Sequence, residues 1–395
     1  MKSVAVVGAG LNAATLTGQG RQAIEQAEAL LGAARLLEAY AGLRKPSYPE
    51  YAPEQVARRV RESGYQRFAV LVSGDTGFYS AAEGLCQALT DCQLELVPGV
   101  SSLSYFFARL QRPWQHAALL SCHGREANLA DAVRRSPLTF VLAGGNMREL
   151  AEELVAAGFG GLTAWIGEEL GGSGERIASL AVAELLAATV SPLSVLLVEN
   201  PGHDSRIRSG IPDGEFRQGR LPMTKAEVRA VALAKLGLKP ESVCCDIGCG
   251  TGSVTVEMAL AAYQGRVYAL DKNDEAMGLV RDNCRLFHLG NVIPVLGSAP
   301  EALAALPLLD AAFIGGSGGR MGGIVAALLG KNPRTRIVAN AVTLEGLYAV
   351  GEAFRANGLA AETVQLSVAR NKTVGGLTMM AAQNPVFMIS GGGHD

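Results

Sequence analysis

The sequence predicts an α/β protein made of two units in tandem, each around a mostly parallel sheet. Three observations carry this. The chain has 395 residues, too many for one ordinary hydrophobic core. Short apolar, β-branched runs alternate with helical patterns along almost its whole length. That rhythm breaks once, from Glu199 to Pro222, where three prolines, four glycines and several charges read as a linker and lead-in.

In the first half, strands are expected at Ser3–Val7, Phe68–Ser73, Leu94–Val97, Ala117–Ser121, Leu138–Leu142, Thr163–Ile166 and Ser194–Val198. Helical patterns such as Tyr79–Leu89 and Asn146–Ala156 separate most of them. After the linker, helix Lys225–Leu236 leads to strands at Val243–Asp246, Val267–Leu270, Val292–Leu296, Ala311–Ile314, Arg336–Ala339, Thr363–Ala369 and Pro385–Ile389. There is no short-period repeat. The halves do not share a motif order, so two different α/β folds are expected, over residues 1–202 and 210–395.

Composition narrows the function. A hydrophobic share of 49% with 18% charged residues fits a packed globular chain, not a disordered one. A net charge of −2 and 6% aromatic residues argue against a nucleic-acid-binding face. A run long enough to span a membrane is missing, and the N-terminus reads as a first strand, not a signal peptide. The seven cysteines are odd in number and lie in apolar surroundings, which fits reduced thiols in a cytoplasm. Cys244, Cys245 and Cys249 cluster in sequence but lack a nearby fourth ligand, so no metal is expected.

The strongest local signal is Val243-Cys-Cys-Asp-Ile-Gly-Cys-Gly-Thr-Gly252. A strand runs into Asp246, then a loop of Gly248, Cys249, Gly250, Thr251 and Gly252, then a helix. Glycines allow tight turns and close approach to a ligand, and the helix N-terminus presents free N–H groups. Nicotinamide-dinucleotide sites share such loops and also an acid after the next strand, here Asp271. Asp246, placed to receive an amino group, is the discriminating residue. Gly315-Gly-Ser-Gly-Gly319 follows another strand, so it is either an anion-binding turn that includes Ser317 or a mobile loop. Arg217, Arg220, Lys225 and Arg229 form a basic cluster that is either solvated surface or a partner for an acidic substrate.

Asp246-Ile-Gly-Cys-Gly-Thr-Gly252 resembles motif I of the class I S-adenosylmethionine methyltransferases, a Rossmann-like fold. With Gly210-Ile-Pro-Asp-Gly-Glu-Phe216, Pro222-Met-Thr-Lys-Ala-Glu-Val-Arg229, Phe313-Ile-Gly-Gly-Ser-Gly-Gly319, Asn340-Ala-Val-Thr-Leu-Glu345 and Asn384-Pro-Val-Phe387, the second half is similar to the C15-methylating, decarboxylating domain of the precorrin-6Y methyltransferase family of cobalamin biosynthesis. The resemblance implies cofactor contacts at Thr224, Gly248 to Gly252, Asp271, Ser298, Ala299 and Gly315. One departure stands out. The family usually has Gly-Asp-Ala before Pro300, and this chain has Gly297-Ser298-Ala299. A carboxylate contact to the adenine is thereby lost or replaced by the Ser298 hydroxyl or backbone.

The first half carries a weak glycine loop at Gly8-Ala-Gly10. Then come Val72-Ser-Gly-Asp-Thr-Gly-Phe-Tyr79, Val97-Pro-Gly-Val-Ser-Ser102 and Ser121-Cys-His-Gly-Arg125. The ordered set resembles the tetrapyrrole methylase family, a two-lobed α/β fold, and within it the C5-methylating branch. The resemblance implies cofactor binding by Gly8, Gly10, Asp75, Phe78, Ser101 and Ser102. Candidate catalytic or substrate-binding residues are His123, Arg125, Lys225 and Ser317, although His123 reads equally as a satisfied structural histidine.

The two resemblances together imply an S-adenosylmethionine-dependent enzyme. It would methylate reduced precorrin-6 at C5 and C15 and remove CO2 from the C12 acetate, giving precorrin-8. The expected partners are this tetrapyrrole and further copies of the chain. The alternatives are a methylase of a related tetrapyrrole, or one catalytic half joined to a non-catalytic cofactor-binding module.

Overall fold

The computed structural model describes residues 1–122 and 127–393. The chain forms two compact units. The first comprises Met1–Glu126, Ser136–Leu150 and Leu162–Pro201; the second comprises Ala127–Arg135, Ala151–Gly161 and Gly202–Asp395.

The first unit has two five-stranded sheets, one per lobe. Strands β1 (Ser3–Gly8), β2 (Ala29–Gly32), β3 (Ser47–Tyr48), β4 (Arg67–Val72) and β5 (Gln93–Val97) make a fully parallel sheet in the order β3-β2-β4-β1-β5. Helices cover both faces, so the central strands are apolar on both sides. Val4 and Val6 pack into one core and Val7 into the other. Strands β6 (Ala117–Ser121), β7 (Leu138–Leu142), β8 (Thr163–Glu168), β9 (Arg176–Ala181) and β10 (Ser194–Glu199) make a mixed sheet in the order β6-β7-β10-β8-β9. Only β6 and β7 pair in parallel there.

The second unit has one seven-stranded sheet. Its strands are β11 (Val243–Ile247), β12 (Arg266–Asp271), β13 (Val292–Leu296), β14 (Ala311–Ile314), β15 (Arg336–Ala341), β16 (Glu362–Leu366) and β19 (Val386–Gly391). The order is β13-β12-β11-β14-β15-β19-β16, parallel except for β19, which runs antiparallel to both neighbours. The chain winds outward from β11 to β13, then returns to β14 on the other side. That reversal opens a crevice at the carboxyl ends of β11 and β14, where open α/β sheets bind ligands.

Three strands of the first unit escaped the sequence reading: β2, β3 and β9. The expected strand Thr363–Ala369 is corrected. Strand β16 ends at Leu366, and a separate hairpin of β17 (Ala369–Val374) and β18 (Leu377–Ala382) follows. Gly375 and Gly376, at φ +58° and +83°, form its two-residue turn, a geometry that favours glycine. At its base, Arg370 bridges Glu227 and Asp213. The expected helix Tyr79–Leu89 is also shorter, running from Ala82 to Ala88, because Tyr79 takes a left-handed φ of +48°.

The segment read as a lead-in is held by buried charge. Glu257 lies on helix Ser253–Ala261, whose residues through Leu260 are all buried. Its carboxylate accepts from the backbone of Gly210 (2.8 Å) and Ile211 (3.0 Å) and from Arg229 Nε (2.8 Å). Arg229 is fully buried, also pairs with Asp213 and donates to the Ile211 and Thr224 carbonyls. The basic-cluster reading is therefore corrected for Arg229. It anchors this segment, and its donors are committed to protein.

Candidate functional site

In the second unit, loops at the carboxyl ends of β11, β12, β13, β14 and β15 surround a cavity of about 1030 Å³. Asp246, next to last in β11, is 1% exposed. Its Oδ2 accepts from Thr255 Oγ1 at 2.5 Å, while Oδ1 is buried without a partner among the described residues. Burial pushes its pKa up to about 7; the Thr255 bonds oppose this, and the nearby Asp271 charge adds to it. Asp271 closes β12 and holds the glycine loop. Its Oδ2 accepts from Gly250 N and its Oδ1 from Asn273 N, both at 3.0 Å.

Gly248 has φ +73°, and a Cβ there would lie 2.9 Å from both N and O of Gly316. The loops after β11 and β14 thus meet backbone to backbone at the reversal point of the sheet. Of the residues singled out from sequence, Thr224, Lys225, Asp246, Gly248, Cys249, Gly250, Asp271, Ser298, Ala299, Gly315 and Ser317 line this cavity. Thr251 and Gly252 sit behind it. Thr251 is 1% exposed, and a Cβ on Gly252 would meet Val280. Lys225 is exposed, 3.9 Å from Asp213. Cys244 and Cys245 point to opposite faces of β11, in different cores, so they cannot share one ligand. Burial raises the pKa of both thiols, that of Cys244 to about 12.

In the first unit, a cavity of about 660 Å³ is lined by residues of both lobes. Three turns of the parallel sheet converge beside it. A Cβ on Gly99 would lie 2.2 Å from the Gly74 carbonyl and 2.4 Å from that of Gly8. Gly10 and Gly74 exchange backbone hydrogen bonds at 3.0–3.1 Å. Asp75 joins two of the turns, accepting from Gly77 N (2.8 Å) and Gly99 N (3.0 Å). Ser101 caps helix Ser102–Arg109 by accepting from Ser104 N. Asp75, Phe78, Ser101 and Ser102 line the cavity; Gly8 and Gly10 shape the turn beneath and are not among its lining residues. His123 and Arg125 lie outside the described residues.

Sequence reasoning passed over two cavity residues. Ser194 begins β10, and Asn340 lies in β15. Each is a cavity-lining residue, and each has a side-chain oxygen that is buried and has no partner among the described residues. Neither sits in a glycine turn, and although Asn340 opens the motif Asn340–Glu345, nothing in that motif marks its side chain as unpaired.

Asp246 makes a prediction about pH. A carboxyl whose pKa is raised in the folded state costs stability once ionised. The cost is absent below the ordinary value of about 3.8, grows as pH rises and is complete above about 7. Asp246→Asn keeps an acceptor for Thr255 and removes the charge. The variant's melting temperature should match the parent's near pH 4 and exceed it increasingly up to pH 7–8. Parallel curves across that range would show that Asp246 ionises as readily in the folded chain as in the unfolded one.

A family described as "Precorrin methyltransferase domain" matches residues 216–391, and one described as "Tetrapyrrole (Corrin/Porphyrin) Methylases" matches residues 3–186. A probable cobalt-precorrin-6B C(15)-methyltransferase (decarboxylating) of Pyrobaculum calidifontis is 47% identical over 46% of this chain and 94% of its own. A solved precorrin-6y C5,15-methyltransferase from Geobacter metallireducens is 39% identical, covering 47% of this chain and 97% of that one, with a TM-score of 0.45. The precorrin-6Y C(5,15)-methyltransferase (decarboxylating) of Sinorhizobium sp is 33% identical over 329 residues, which span 81% of this chain and 79% of that protein. With both halves matched in order and a relative aligned across both, the chain belongs to the precorrin-6Y C5,15-methyltransferase (decarboxylating) family.

Proposed function

We propose that this chain methylates reduced precorrin-6 at C5 and C15 and removes CO2 from the C12 acetate. We assign C5 methylation to residues 1–202, and C15 methylation with decarboxylation to residues 210–395. The observation that carries the reading is the pair of separate cavities, each beside converging glycine turns at the carboxyl ends of parallel strands.

Both cavities suit S-adenosylmethionine. In the second unit, the unpartnered Asp246 Oδ1 is an acceptor for an amino group, and Gly248 and Gly250 let the loop pack directly on the backbone of Gly316 and Pro222, where a side chain would displace it. In this reading Asp271 takes the ribose hydroxyls, and Thr224, Ser298 and Ala299 hold the rest of the nucleoside. In the first unit, Asp75, Phe78, Ser101 and Ser102 hold the corresponding place. When bound, the cofactor supplies a methyl group activated on a sulfonium.

The protein's own task is alignment. Methyl transfer to an electron-rich carbon needs reacting atoms about 3–3.5 Å apart and in line, and no protein nucleophile. The Gly248–Gly316 contact and the Asp271–Gly250 bond fix the loops that set this geometry. Decarboxylation leaves an electron pair that the substrate's conjugated imines absorb. The protein contributes orientation and a site less favourable than water to the carboxylate charge. Ser317 and Lys225 on the cavity wall are the groups for substrate carboxylates.

Incubation of the full chain with reduced precorrin-6 and labelled S-adenosylmethionine, followed by mass spectrometry, tests this. The product should carry two labelled methyl groups and lack one CO2. A product with one label and its CO2 intact would assign catalysis to the first unit alone.

A further inference from the structure

The walls of the second unit's cavity differ in charge, with the acids on one side, where Lys272 and Asn273 also follow Asp271. Its two acids, Asp246 and Asp271, lie at the carboxyl ends of β11 and β12, and the Ser298–Ala299 turn follows β13. The sheet order puts these three strands side by side at one end. The opposite wall, from β15 and the approach to β19, bears carboxamides: Asn340, Gln383 and Asn384. Lys225 and Arg320 add cations to the lining, and Arg320 is paired with exposed Glu301.

Asn340 is the informative member of that wall. Its Oδ1 is buried and accepts nothing among the described residues. A buried carbonyl oxygen without a donor is costly, so a bound molecule is the natural source of one. The cofactor is the wrong source. Strand β14 separates β11 from β15, which sets Asn340 two strand spacings, about 10 Å, to the side of Asp246. The register aligns Asp246 with Phe313 and Phe313 with Val338, so Asn340 is also two residues further along, about 7 Å. One amino group cannot reach both acceptors. The ribose hydroxyls and the adenine belong with Asp271 and Ser298, on the far side of β11.

We propose that Asn340 is a substrate-recognition residue whose Oδ1 accepts a hydrogen bond from a ring N–H of the tetrapyrrole, with the carboxamide wall as the macrocycle's resting face. The inference rests on the function proposed above. A tetrapyrrole ring offers N–H donors and imine acceptors near its centre and carboxylates at its edge. Carboxamides match the first set, being uncharged and able both to donate and to accept. The cations match the second.

The test uses the full chain, with steady-state kinetics on reduced precorrin-6 and calorimetric titration of S-adenosylmethionine. Asn340→Ala should raise KM for the tetrapyrrole about tenfold, the effect of losing one buried hydrogen bond. Cofactor Kd should stay within about twofold, because the cofactor lies on the other wall. Asn340→Asp keeps the acceptor and should recover most of the lost KM. A wild-type KM in Asn340→Ala overturns the proposal. So does an Asp variant as poor as the Ala variant, since that assigns the contact to the amide N–H and a substrate carboxylate. Normal wild-type turnover beside an unaffected Ala variant counts against Asn340 alone, whereas absence of wild-type turnover overturns the function and the inference together.

Discussion

Replacing Gly248 with alanine should lower C15 methylation and CO2 release together, by about 100-fold, while C5 methylation continues. Two costs act at this position. The φ of +73° is unfavourable for a residue with a Cβ by about 1–2 kcal/mol. The new Cβ also meets Gly316 backbone at 2.9 Å, and backbone cannot rotate away as a flexible side chain can. One of the two loops must shift, and with it the turn that Asp271 ties through Gly250. In-line transfer loses about 100-fold for a displacement near 1 Å. Gly99→Ala is the mirror experiment. Its Cβ would sit 2.2 Å from the Gly74 carbonyl, so C5 methylation should fail while CO2 release persists. Product masses read both events at once, and thermal melts show whether each variant remains folded. Normal CO2 release from a folded Gly248→Ala protein would remove decarboxylation from the second unit.

The second large effect is on stability. Arg229 and Glu257 both have fully buried side chains, joined at 2.8 Å. Arg229→Ala leaves the Glu257 carboxylate with only the Gly210 and Ile211 N–H groups, and Asp213 with one partner fewer. Removing one member of a buried pair costs about 3–5 kcal/mol, because the remaining charge stays desolvated. Arg229→Met with Glu257→Gln should cost less than the single change, since no charge is stranded. Urea unfolding followed by circular dichroism should have its midpoint at lower urea for Arg229→Ala than for the parent. Equal destabilisation by the single and double changes would mean that the pair is not electrostatically coupled.

The same two residues mark where sequence reading stops. Asp246 to Gly252 was legible as strand, turn and helix because everything that specifies it is local: an apolar run, an acid, three glycines. Arg229 was read with its neighbours as a surface or substrate-facing charge. Its true role depends on Glu257, 28 residues away on a helix buried on all sides. Pairing at that separation leaves no local pattern. Strand β2 shows a different limit. Ala-Leu-Leu-Gly is four residues, all buried, and a run so short and uniformly apolar lacks the alternation that separates strand from helix. Hairpin β17–β18 was hidden for the opposite reason. Both its strands are mostly exposed, so no apolar face announces them, although Gly375-Gly376 was a readable turn signal. In the candidate site, the turns of the β-α connections were legible and Asn340 was not, because an unpaired buried oxygen exists only once the strands around it are assembled.

Over generations, the meeting of Gly8, Gly74 and Gly99 restricts which descendants of this sequence can work. Any single-base change that alters a glycine codon to another amino acid adds at least a Cβ. At Gly8 and Gly99 that atom lands within 2.2–2.8 Å of another turn's backbone. No small intermediate is available, because alanine is already too large. A lineage can vary these positions only by first moving a second turn, which by itself opens a gap beside the cavity. The first unit's chemistry is therefore free to drift at side chains that face the substrate, while the backbone crossing beneath them stays fixed.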